Sequence, residues 1–151
     1  MALSDDIRLL ANVPLFSGLG EDQLRLIAFG AERRHLASGQ TLFREKSPAE
    51  CAYVVASGDV ALNATGRSGK SEVAGHAGPG TLLSELAMVT LVERKFTAVA
   101  TQDSEVIRIS RALFHRLLEE YPDIAAAVES RIRDNLAAMA TQAAAMQHRF
   151  D

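Results

Sequence analysis

A chain of 151 residues, 48% of them hydrophobic, is long enough to bury a core and short enough to form one domain. Its formal charge of −3 gives no basic bias toward nucleic acid, and its single cysteine, Cys51, excludes an intrachain disulfide framework and a cysteine-rich metal or iron–sulfur site. The acidic start Ser4-Asp5-Asp6 is unlike a secretory leader, and no stretch approaches the ~20 apolar residues of a membrane span, so no membrane association and a cytoplasmic location are expected.

Ser4-Asp5-Asp6 ahead of Ile7, Leu9 and Leu10 reads as an N-cap and acidic first turn of a short helix. Pro14 interrupts it, Pro14 to Leu19 reads as an apolar turn, and Gly20-Glu21-Asp22 opens a second helix with Leu24, Ile27 and Ala28 at helical spacing. Residues 1–30 are thus expected to form a helical hairpin covering one end of a sheet.

From Ala31 to Ile109 short apolar runs alternate with Gly, Pro, Ser and Asp, the pattern of many short strands. Thr41–Phe43, Cys51–Ala56, Val60–Leu62, a weaker stretch near Val73, Thr97–Ala100 and Val106–Ile109 read as strands, with turns at Ser38-Gly39, Lys46–Pro48, Ser57–Asp59 and Gln102-Asp103. Near-regular spacing of this kind implies a small antiparallel barrel or jelly roll. Ser110 caps a helix through Leu117-Leu118, and Tyr121-Pro122-Asp123 ends it and starts another, with proline suited to a first turn. The Ala-rich remainder is a strong helix former. Ile132, Leu136, Met139, Ala143, Met146 and Phe150 recur at spacings of four and three, a seam that packs either on the chain's own barrel or on a second copy of the helix. The expected fold is a single α+β domain over 1–151: N-terminal helices (1–30), an antiparallel β-roll (31–109) and C-terminal helices (110–151).

Within the roll, residues 79–100 hold the most chemistry. Pro79-Gly80 turns the chain, Ser84-Glu85 can cap a short apolar helical turn, and Arg94 follows nine residues past the acid. Amides at a helix start attract anions, and an arginine adds a two-pronged phosphate contact. The glutamate is then free to accept from a sugar hydroxyl, so the constellation suits a nucleotide.

This stretch resembles the phosphate-binding cassette of cyclic nucleotide-binding domains, whose pattern is close to P-G-x-x-F-G-E-L-A-L, several residues, then P-R, two small residues and T-V-x-A. Pro79, Gly80, Glu85, Leu86, Ala87, Arg94, Thr97 and Ala100 fall in register over residues 79–95 and beyond, and Gly39, Glu45, Tyr53-Val54-Val55 and Gly58 match the family's earlier signals. The resemblance implies a β-roll that binds cyclic AMP or cyclic GMP. It assigns Glu85 to the ribose 2′-hydroxyl, and Arg94 with the amides of Leu86 and Ala87 to the cyclic phosphate. Arg131 and Asn135 on the last helix are the lid candidates it implies. The chain departs from the pattern at Ser84 (usually glycine), Glu93 (usually proline), Lys95 and Phe96 (usually small) and Lys46 (usually glycine). Phe96 takes room that alanine leaves for a ligand, while Lys95 is a second cation beside the phosphate position.

Other candidates reduce to structure. Ala64–Ser71 fits a loose phosphate-loop pattern, but the following Glu72–Pro79 cannot sustain the helix that such a loop needs. His35, His76, His115 and His148 lack paired metal-ligand spacing, no nucleophile arrangement is present, and Cys51 heads an apolar run as a packing residue. The expected function is therefore not enzymatic and calls for no cofactor or metal: a regulatory module that binds a cyclic nucleotide and signals through its last helix to a protein partner or a homodimer. No helical pair follows that helix to enter a DNA groove, so nucleic acid is not an expected partner. The alternative is a degenerate family member acting as an interaction module without nucleotide.

Overall fold

The computed structural model describes residues 2–66 and 68–149, with side chains over 4–66 and 68–137. Four helices are present, α1 (Ala2–Ala11), α2 (Glu21–Gly30), α3 (Arg111–Glu120) and α4 (Pro122–Arg149), with a 3-10 turn at Pro14–Phe16. Helix α1 starts before the expected Ser4 cap, because Ala2 and Leu3 are good helix formers and nothing in them stops the first turn. Gln23 closes the start of α2 by accepting from the Gly20 amide at 2.8 Å, and the Ser110 hydroxyl accepts from the Leu113 amide at 3.1 Å to cap α3.

Ten strands make the roll: β1 (Glu32–Leu36), β2 (Thr41–Phe43), β3 (Pro48–Ala49), β4 (Cys51–Ser57), β5 (Val60–Thr65), β6 (Ser71–Ala77), β7 (Leu82–Leu83), β8 (Val92–Glu93), β9 (Thr97–Ala100) and β10 (Ser104–Ser110). They form an antiparallel sheet ordered β1-β10-β4-β7, a facing sheet β2-β9-β5-β6 and a short β3-β8 ladder. The expected α+β roll is the fold that forms.

Strand β4 is buried from Cys51 to Val55 because both of its faces are covered, which is why it reads as a continuous apolar run. Ala52 and Val54 join Ile107 and Ile109 of β10 against Leu10, Phe16, Ile27, Leu117 and Ile132 of the helical layer. Cys51, Tyr53 and Val55 point the other way, into the roll with Val60, Ala98 and Val106. Strand β1 has no apolar alternation, since four of its five residues are exposed, and its place is set by pairing with β10 and by ion pairs of Arg33 with Asp6 and Glu105. Of the heptad seam, Ile132 is buried in the helical core and Leu136 is partly exposed; Met139, Ala143, Met146 and Phe150 lie outside the residues whose side chains are described.

The β4–β5 hairpin turns at Gly58, whose φ of 89° favours glycine and whose missing Cβ leaves room for its neighbours. A Cβ there would sit 2.1 Å from the Ser104 hydroxyl and 2.7 Å from the Asp103 carbonyl oxygen, backbone that cannot yield. Left-handed strain and overpacking together predict that Gly58→Ala destabilises the domain by ~2–4 kcal/mol, read as a fall in Tm of about 5–15 °C.

Candidate functional site

Strand β7 pairs with β4 through Tyr53–Leu83 and Val54–Leu82 and delivers the chain to Ser84. Ser84 is left-handed at φ 62°, ψ 43°, and its hydroxyl makes no cap bond, so the expected Ser84-Glu85 side-chain cap is absent. The backbone has kept the conformation that glycine would adopt easily and imposes its strain on a serine. A single 3-10 turn follows at Glu85–Met88, anchored by buried Ala87 and Met88. The Ala87 amide donates to the Ser84 carbonyl at 3.0 Å, so it is engaged within the turn.

Arg111 holds this turn in place, and no motif in the sequence marked it. Its Nε donates to the Ala87 carbonyl at 3.0 Å, and its Nη2 donates to Ala49 at 2.8 Å and to Thr90 at 3.1 Å. One guanidinium thereby ties the start of α3 to the middle of the cassette and to β3. The chain then enters β8, where the Arg94 amide donates to Ser47 at 2.8 Å and the Lys46 amide donates to Arg94 at 2.7 Å. Lys46 occupies φ 70°, again where the family pattern has glycine.

A cavity of about 380 Å³ opens between the cassette and α4. Its apolar lining includes Leu62, Leu82, Leu86, Phe96, Ile132 and Leu136, and its polar groups are Thr81, Ser84, Glu85, Glu93 and Lys95. Ser84, Glu85, Leu86, Lys95 and Phe96 thus converge on one hollow, and Phe96 narrows it without filling it. Ala87 and Arg94 are not part of its wall. Ala87 is fully buried behind the turn.

Arg94 is only 6% exposed and points into the roll. Its Nη1 donates to the Cys51 carbonyl at 2.8 Å and its Nη2 to the Cys51 sulfur at 3.3 Å. The guanidinium carbon stands 4.5 Å from the Phe43 ring centre and 5.4 Å from that of Tyr53, and the two rings stack at 5.9 Å. Its Nε is buried with no partner. Burial, ahead of the neighbouring Cys51, raises the Tyr53 pKa above its ordinary 10.0, with Arg34 and Arg94 opposing.

Asn135 of α4 stands close enough to the Glu85 carboxylate to lower its pKa by hydrogen bonding. A second depression, of about 480 Å³, lies on the other side of this pair, between Asn12–Leu15 and Pro79–Leu82. Arg131 turns away from the cavity and donates to the Leu15 carbonyl at 3.2 Å and to that of Ser17, so it fastens α4 to the Pro14–Phe16 turn. The Gly66–Lys70 segment is a hairpin closed by the Gly66 amide on the Lys70 carbonyl at 2.9 Å, and a strand follows it, not a helix. His76 Nδ1 lies 2.8 Å from Asp59, and among the described residues no cluster suited to a metal ion occurs.

The family model of the cyclic nucleotide-binding domain matches residues 33–121, across the roll and into α3. The chain belongs to this family. The cyclic AMP receptor protein of Thermus thermophilus is 30% identical over 125 residues, which are 80% of this chain and 58% of the receptor. Other curated relatives that it matches are far longer, and the chain spans under a tenth of them. Among solved structures, a cyclic nucleotide-binding-like protein from Brucella abortus is 46% identical, with a TM-score of 0.69 over 76% of this chain and 98% of that one. The N-terminal domain of a transcriptional regulator from Streptomyces coelicolor A3(2) is 28% identical, with a TM-score of 0.77 over 87% of this chain and 94% of that one. This cyclic nucleotide-binding domain is regulatory in type, and among its described residues no helix is long and apolar enough to cross a membrane.

Half-burial of Glu85 in the domain raises its pKa above the ordinary 4.5, and the Asn135 hydrogen bond pulls it partly back. The folded state therefore holds this proton more tightly than the unfolded chain, so Glu85 lowers stability as pH rises through its folded pKa and has no such effect well below 4.5. Glu85→Gln is expected to flatten this part of the profile and Asn135→Ala to steepen it, measured by urea unfolding between about pH 4 and about pH 8.

Proposed function

We propose that this domain is a regulatory sensor that takes a cyclic nucleotide, cyclic AMP or cyclic GMP, into the hollow between the cassette and α4. The observation that carries the reading is Arg94: a guanidinium 6% exposed, with an unpartnered Nε and no carboxylate bonded to it among the described residues, in the family's phosphate-binding position. A buried cation without a counter-anion is costly to a fold, and a phosphate would supply the missing charge.

In this reading Glu85 accepts from the ribose and exchanges its Asn135 bond for a hydroxyl, while Ile132 and Leu136 cover the ligand from α4. Lys95 adds a second positive charge at the rim, opposed by Glu93. Ligand binding shifts the population of α4 positions to the extent that the two positions differ in affinity, and a protein partner or a second copy reads the change. The domain acts as one unit with no catalytic group, and the cytoplasm is its place of work.

A second reading, an interaction module that binds no nucleotide, draws on the same arginine being turned from the hollow and on the Ala87 amide being spent within its own turn. Calorimetry separates the two. Micromolar binding of cyclic AMP or cyclic GMP, weakened about 10- to 150-fold by Arg94→Ala, is the expected result. Silence at millimolar ligand would leave the interaction module.

A further inference from the structure

Phe43, Tyr53 and Cys51, all outside the cassette, enclose Arg94. The two rings stack on each other, and the guanidinium lies within 4.5 and 5.4 Å of their centres, close enough for cation–π attraction. One Nη is held by the Cys51 carbonyl at 2.8 Å, the other meets the sulfur at 3.3 Å, and Nε faces nothing. An arginine has five donor hydrogens, and this enclosure engages two of them. Such a site holds the cation firmly but incompletely. Of the enclosing side chains only Phe43 also lines the hollow, so it stands between the enclosed guanidinium and that hollow.

We infer that this enclosure sets the affinity of the hollow for anions: Phe43, Tyr53 and Cys51 compete with a phosphate for Arg94, and binding proceeds by exchange of the guanidinium from the rings to the anion. The inference rests on the phosphate-anchoring part of the proposed function and extends it to residues outside the cassette. Two discrete positions for one side chain form a bistable element, and any change that weakens the enclosed position favours the anion-bound one by the same factor. Tyr53 does not line the hollow, so its replacement removes no ligand contact.

The full chain, labelled with nitrogen-15 in its arginines, tests this by magnetic resonance. In the free wild type the Arg94 Nε–H signal should be shifted by the ring currents and slow to exchange; an unshifted, rapidly exchanging signal overturns the inference without need of any variant. Tyr53→Leu and Phe43→Leu, checked for folding by circular dichroism, should return that signal toward a free arginine. Each should bind inorganic phosphate about three- to thirtyfold more tightly than the wild type. Equal or weaker phosphate binding by both folded variants overturns the inference. If the variants gain phosphate affinity and no protein binds cyclic AMP or cyclic GMP, the enclosure stands and the nucleotide reading falls. If the wild type binds cyclic AMP while the Arg94 signal stays at its ring-shifted position, the nucleotide reading survives and the exchange is refuted.

Discussion

The covering of β4 on both faces is the constraint from which the rest of this domain follows. A strand presents alternate side chains to opposite sides, so a strand buried throughout must serve two cores at once. Ala52 and Val54 serve the helical layer, and Cys51, Tyr53 and Val55 serve the interior of the roll. A one-residue slip would place a tyrosine among the helices and small residues inside the roll, so the register is tightly specified. That register sends the Cys51 carbonyl and the Tyr53 ring toward Arg94, and its β7 neighbour positions the start of the cassette.

An arginine inside such a roll sits between opposing demands. Removing a guanidinium from water is unfavourable, and aromatic faces and a single carbonyl offset only part of the loss. The backbone nonetheless fixes Arg94 at this point, because its amide and carbonyl bridge to Ser47 and Lys46. With the main chain held at these two bonds, the side-chain torsions of Arg94 place its guanidinium among the rings. In the proposed reading, anion binding would turn on the rotamer of Arg94, and the rotamer on the neighbours that enclose it.

Much of the architecture was legible in the sequence because its cues were local. Proline and glycine marked the turns, the run Cys51–Ala56 marked a strand, and Ser110 and Pro122 marked helix starts where the structure has them. Strand β1 was not legible, since Glu32-Arg33-Arg34-His35 has the polarity of a loop and is held by a partner 72 residues away in the case of Arg33 and Glu105. The cassette pattern brought five of the seven named residues to one hollow, but spacing carries no information on which way an arginine turns when two apolar rings compete for it. Arg111 was invisible for a similar reason: its three acceptors are backbone carbonyls, which leave no trace in residue types. Ser84 and Lys46 show the reverse situation, with the backbone holding a glycine-like conformation after the glycine has gone.

Arg94 and Glu85 stand on different physical footings, and in the proposed reading this bears on how a signal would leave the domain. Arg94, outside the wall of the hollow, depends on the roll, through rings and a carbonyl that belong to β2 and β4. Glu85, on the wall of the hollow, lies in a half-buried setting where a carboxylate gains from every donor it finds, and Asn135 of α4 is a donor that lowers its pKa. Arg131, one turn earlier on α4, is fastened to the Pro14–Phe16 turn, so the helix is fixed near its middle and free to trade partners beyond that point. A ligand that satisfied Glu85 directly would release Asn135 without disturbing Arg131. Motion would then begin beyond Ile132, which is buried in the helical core. In the proposed reading, the sensing of charge at Arg94 and the movement of the helix at Asn135 would be separable steps, coupled by a ligand that touches both.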